Sequence, residues 1–244
     1  MFELTIETMP ITSYEILGRL AAKVAPQTLD VSTLAERYGL SPEVLEKLKT
    51  CYEFGVIPVA LLTPDIVDAW RAISIALALE STELKGPDIV IRDLTPADLK
   101  DLGYASPASG IYTWELTFTS VGTEEKTIST GDNEAIVVYG IIDYSPVITI
   151  QEFEVAGGAG GTYLIADVSI LHAFEKKVGL LTQPIIVPPN DQATFTFKVV
   201  RTDAKIALRL WGVKIEKVAK KVRPLETLYK KVRRAIKGML GVMS

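Results

Sequence analysis

Apolar and polar residues alternate with a period of two through most of the second half of the chain. Ala193, Phe195, Phe197 and Val199 interleave with Thr194, Thr196 and Lys198, the pattern of a strand with one buried face. Tyr112, Trp114, Leu116 and Phe118 alternate in the same way with Thr113, Glu115, Thr117 and Thr119, which predicts a strand over 111–119. Near the end of this region Ile206, Leu208 and Leu210 hold one parity and Trp211, Val213 and Ile215 the other. The change falls at Gly212 and predicts a β-bulge there. Further strands are predicted at 125–129, 134–142, 147–155, 162–170, 184–188, 193–200 and 205–218, eight in all. Turn residues separate them at 130–133, at Ser145-Pro146, at 157–161 and at 188–191. No run of crossover-helix length lies between most neighbours, so the pairing is expected to be antiparallel and the strands to form two packed sheets.

The first half has a different period. A short strand is expected at Phe2, Leu4 and Ile6. Thr12 and Glu15 then form a capping-box pattern ahead of the helically spaced Ile16, Leu17, Leu20 and Val24. Three more helix starts share a hydroxyl N-cap followed by proline: Ser41-Pro42, Thr63-Pro64 and Thr95-Pro96. The stretch 65–80 is apolar on several faces, which predicts a helix covered nearly all round. The expected organisation is therefore α+β: a mainly helical domain over 1–109, an eight-stranded antiparallel β-sandwich over 110–218, and a basic amphipathic C-terminal helix over 219–244.

Charge sharpens the last boundary. The chain has a net charge of −4, but Lys214 to Ser244 holds ten Lys or Arg against Glu216 and Glu226, a balance of +8 that leaves −12 for the preceding 213 residues. After Pro224, the residues Leu225, Leu228, Tyr229, Val232 and Ile236 recur at three- and four-residue intervals as an apolar stripe. Lys230, Lys231, Arg233, Arg234 and Lys237 surround it and are the expected contacts for an anionic partner. A neighbouring subunit, an anionic membrane and nucleic acid all remain open as that partner. No apolar run reaches the roughly 18 residues of a membrane span. Few Asn, Gln and Cys beside many Lys and Glu is a composition expected of a protein from a hot habitat.

Candidate chemistry is sparse. His172 is the one histidine and Cys51 the one cysteine, which argues against a multi-histidine metal site or an internal disulfide. The glycines at 157–161 are followed by no Gly-Lys-Ser/Thr and join strand to strand, so a hairpin tip is expected in place of a phosphate cradle. Asp143, Glu152, Glu154 and Asp167 are the carboxylates from which a hydrolytic pair would have to come, and nothing in their spacing favours one. No catalytic residue, cofactor or metal is expected.

Two resemblances add to this reading. The stretch 33–48 resembles the helix-turn-helix family through Ala35, Gly39 and Leu45, although the outward Glu43, Glu46, Lys47 and Lys49 sum to no charge. The β-half, with its Pro-Pro-Asn-Asp turn, Thr/Phe strand and last strand containing Trp-Gly, looks like the single jelly-roll proteins of virus particles. That resemblance implies a capsid or virion-surface subunit that assembles with copies of itself or with other structural proteins, located in the virion or otherwise in the cytoplasm. The alternatives are a DNA-binding regulator with a β-sandwich for sensing or oligomerisation, and a carbohydrate-binding β-sandwich. For the last, Trp114, Phe118, Phe195 and Phe197 fall on the parity expected of core.

Overall fold

In the computed structural model the described residues are 46, 51–82, 84, 88–104, 110–159, 161–202 and 206–218. The opening strand, the first helix, nearly all of the helix-turn-helix stretch and the whole C-terminal segment 219–244 lie outside them.

Among the described residues nine strands make two antiparallel sheets: β1 (Val56–Pro58), β2 (Ile89–Asp93), β3 (Gly122–Ser129), β4 (Glu134–Asp143), β5 (Ile150–Gly157), β6 (Thr162–Asp167), β7 (Val178–Val187), β8 (Gln192–Val199) and β9 (Leu208–Lys217). The first sheet has the order β1-β7-β4-β9-β2, the second β3-β8-β5-β6. Strands β2 to β5 pair in turn with β9, β8, β7 and β6. The chain is thus an antiparallel ribbon folded back on itself and rolled up, so that β4 meets β9 and β5 meets β8. The sheets face one another across a shared core. Phe153, Phe195 and Phe197 from the second sheet meet Val138, Ile185 and Leu210 from the first.

Beyond shifts of strand ends, two expectations about strands need correction. Residues 111–119 form no ladder: Leu116 alone bridges Tyr104 and Ile206. The alternation is real as burial, since Leu116 and Phe118 are both in the core, but the segment lies on the core with a single bridge on either side. The missing strand comes from the first half, where β2 pairs along its whole length with β9 and β1 pairs with β7. Strands on both sides of residue 110 therefore share one sheet.

The parity change at Gly212 also has another cause. The register slip lies in β4, where Val138 pairs with Gly212 and Gly140 with Trp211, leaving Tyr139 as the extra residue. Strand β9 keeps its alternation throughout. Leu208 and Leu210 enter the inter-sheet core, while Val213 and Ile215 enter a second core on the outer side of the first sheet. Gly212 sits where no side chain fits: a Cβ there would lie 2.0 Å from the Val137 carbonyl oxygen. Pro184, with no N–H to give, falls within the stretch of β7 where pairing to β4 skips from Ile185 to Leu180.

The outer side of the first sheet is covered by helix α1 (Pro64–Ser81), as the apolar run predicts. Its Trp70, Ile75 and Ala78 are buried. The Thr63-Pro64 start is observed without a side-chain cap, and Thr95-Pro96 opens a 3-10 segment (Pro96–Leu102) with a complete capping box from Thr95 and Asp98. Segments before residue 104 also close the sides of the two-sheet stack. The 3-10 segment packs against β3. On the opposite side Phe54 accepts a hydrogen bond from the Asp167 N–H at the edge of β6, and Gly55, at φ +70, passes so close that a Cβ would meet the Ile165 carbonyl oxygen at 1.8 Å.

Candidate functional site

Two polar groupings and one apolar surface stand out among the described residues. The first grouping lies at the open end of the inter-sheet face. There the inward positions of β2, β4 and β9 become charged, bringing Arg92, Glu134, Lys214 and Glu216 beside Asp98 of the 3-10 segment. Arg92 grips Asp98 with two hydrogen bonds, of 2.6 and 2.7 Å, and Thr95 donates to Asp98 through its N–H and hydroxyl. Lys214 reaches Glu134, Glu216 and Asp98. Burial works against ionising Asp98, yet the bonds from Arg92 and Thr95 prevail and hold its carboxyl well below the usual carboxylate range. Glu134 is lowered in the same way, its burial outweighed by Lys214 and the Gly131 N–H. All five charges have partners, so the cluster locks the 3-10 segment to the sheet and leaves no group free for a substrate.

The second grouping surrounds Asp143 at the far end of β4. Its carboxylate accepts from the Ser145 N–H at 2.7 Å and pairs with His172 Nε2 at 2.7 Å, with the two side chains 3% and 10% exposed. The Asp143 N–H donates to the Lys177 carbonyl, and Lys177 Nζ donates to the Ser145 carbonyl. The loop from Tyr144 to Thr149 is also strapped to its neighbours, since the Tyr144 N–H donates to Ala207 and the Thr149 carbonyl accepts from Val200. Ser145 and Thr149 point inward and are buried, which turns Tyr144, Val147 and Ile148 outward at 59%, 37% and 38% exposure. Val200 is exposed beside them. The result is an apolar tip on a base of buried hydrogen bonds.

The predicted site residues are distributed as follows. The tail residues Lys230, Lys231, Arg233, Arg234 and Lys237, and the stripe of Leu225, Leu228, Tyr229, Val232 and Ile236, lie outside the described residues. Asp167 caps a 3-10 turn through Ser169, Glu152 pairs with Lys198 at 3.2 Å, and Glu154 accepts from the Tyr163 hydroxyl at 3.4 Å. The four carboxylates therefore serve local structure or face solvent separately. Gly157, Gly158 and Gly161 lie at the tip between paired β5 and β6. Phe118, Phe195 and Phe197 are buried, and Trp114 packs partly against the same core. Among the described residues no cluster of His, Cys, Asp and Glu is arranged to hold a metal, and no helix is long and apolar enough to cross a membrane.

Periodicity places Val147 and Ile148 in a strand starting at 147, which hides the apolar tip. The available signal was the run Tyr144-Ser145-Pro146-Val147-Ile148, three large apolar residues around a turn proline where polar residues are the rule.

No protein-family model and no curated protein matches the chain. Similar solved structures include the C-terminal CBM6 of LamC, a marine laminarinase from Zobellia galactanivorans, at 11% identity and a TM-score of 0.27 over 52% of this chain and all of that one. Another is the Drosophila NLP core, described for pentamer formation and histone binding, at 11% identity and a TM-score of 0.23 over 53% of this chain and 94% of that one. At these scores neither likeness carries an argument about function.

Proposed function

We propose that the chain is a structural assembly protein built on a jelly roll, a subunit of a particle shell such as a virus capsid, and resident in the virion in that role. The nested pairing of β2 to β5 with β9 to β6 supports the jelly-roll reading. Fold alone does not give function, so the assembly reading rests on one local observation, the apolar tip of Tyr144, Val147 and Ile148. Side chains of this size carried outward on a loop whose backbone is already tied down require little ordering of the chain on docking. A tyrosine beside aliphatic residues is also a composition favoured at the centres of protein interfaces.

Light scattering over a range of concentrations tests the reading. The expected mass rises in multiples of the 26.7 kDa chain, and Tyr144→Ala with Ile148→Ser shifts the distribution to smaller species without changing the melting temperature. Electron micrographs of the largest species are expected to show closed or regularly repeating particles. A mass that stays monomeric at every concentration would sink the proposal.

A further inference from the structure

The second sheet has an outer face whose composition matches the C-terminal segment. Strand pairing places Thr127, Thr194, Ala156 and Tyr163 in one row across it, Glu125, Thr196, Glu154 and Ile165 in the next, and Lys198, Glu152 and Asp167 in the row beyond. Four carboxylates stand against one lysine. Among them Tyr163 and Ile165 are exposed by 61% and 43%, large apolar side chains on a face that is otherwise threonine, alanine and charge. Among the described residues nothing covers this face.

We propose that residues 219–244 fold back over their own molecule and lie along this face. Their lysines and arginines meet Glu125, Glu152 and Glu154, and their apolar stripe rests on Tyr163 and Ile165. Three observations point to this occupant. The segment carries eight Lys or Arg against Glu226 alone, and the face has the opposite excess. Its stripe of Leu225, Leu228, Tyr229, Val232 and Ile236 needs an apolar support, which phosphates do not offer and Tyr163 and Ile165 do. The chain also leaves the described structure in the right place. The Lys217 N–H donates to the Asn133 carbonyl, so Val218 lies at the end of the molecule where the 130–133 turn joins the two sheets and where Tyr163 begins the β6 row.

The lengths agree. Packed sheets lie about 10 Å apart, and the five residues 219–223 span up to about 17 Å when extended. A helix from Pro224 to Ser244 would be about 31 Å long, against about 26 Å for an eight-residue strand. Docking of this kind matches the charge of the acidic body within one molecule and leaves the apolar tip at the opposite end free.

Zero-length carbodiimide crosslinking of the full chain, performed on a mixture of light and isotopically heavy protein and read by mass spectrometry, tests the proposal. The expected links join Lys230, Lys231 or Lys237 to Glu125, Glu152 or Glu154, within chains of one label. In a Glu125→Gln, Glu152→Gln, Glu154→Gln variant those links disappear and trypsin cuts at Arg233 and Arg234 at least threefold faster, while the near-ultraviolet circular dichroism of the folded body is retained. Tyr163→Ala keeps every carboxylate and is expected to speed the same cleavage. Links to a different surface, or chiefly between light and heavy chains, overturn the proposal. So does a segment that trypsin removes equally fast from all variants, or one that binds phosphatidylserine vesicles with no links to the face. Light scattering decides the assembly reading separately, because docking within one molecule is expected whether or not copies associate.

Discussion

The two sheets differ in how many of their faces are buried among the described residues, and the difference is written into their sequences. The first sheet is covered on both sides, by the inter-sheet core and by α1 with its surroundings. In β4 the run Ala135, Ile136, Val137, Val138 and Tyr139 is accordingly buried without a break. The second sheet buries only its inner face, and β8 alternates Ala193, Phe195, Phe197 and Val199 with exposed or half-buried neighbours. Continuous apolar runs and strict alternation thus mark two environments within one pair of packed sheets. A strand such as β9 passes between the two patterns when its inward positions leave the core for the charged cluster. Its outward Val213 and Ile215 stay under cover.

Substitutions that weigh one face against the other test this contrast. The largest effect is expected at Phe195, which is fully buried and in ring contact with Phe153 and Phe197. Phe195→Ala should cost about 3–5 kcal/mol in chemical denaturation. In β9 both parities should matter, because Leu210 and Ile215 are equally buried on opposite faces. Leu210→Ala and Ile215→Ala are each expected to cost about 2–5 kcal/mol. A silent Ile215→Ala would show that the outer face of the first sheet is not a true core.

The charged end of the inter-sheet face comes next. Asp98→Asn removes the negative charge and one of the two acceptor oxygens that Arg92, Thr95 and Lys214 share, and should cost about 1.5–3 kcal/mol. Because the folded carboxyl titrates below its unfolded value of about 3.9, its contribution is fully present above that value and is lost as pH falls below about 4. The melting temperature of Asp98→Asn should therefore depend less steeply on pH in that acid range than that of the parent chain. Some acid dependence should persist through Glu134, which is lowered in the same direction. The smallest effect is expected at Thr196, the outward neighbour of Phe195, where Thr196→Ala should stay within about 0.5 kcal/mol. A shift as large as that of Phe195→Ala would mean that the faces of β8 are assigned the wrong way round.

Local pattern alone determined that the second half is antiparallel β, that 65–80 is a helix, that Phe195 and Phe197 are core and that 157–161 is a hairpin tip. Each depends on neighbours in sequence, whose spacing reveals one face of one element. Tertiary structure decided the rest. Leu116 and Phe118 alternate like strand residues because they lie on a core, and whether the backbone also joins a ladder depends on partners such as Tyr104 and Ile206, distant in sequence. The parity change at Gly212 reads as a bulge until α1 and Leu94 are seen to cover opposite faces of the same strand. Strand β2 is five residues long and stands among helix signals, so only its pairing with β9 reveals it. The apolar tip needed the loop at 144–149 to be tied to Asp143, Ala207 and Val200, so that Ser145 and Thr149 turn in and Tyr144, Val147 and Ile148 turn out. Periodicity records whether a side chain is covered; which element covers it is set by contacts that sequence spacing does not encode.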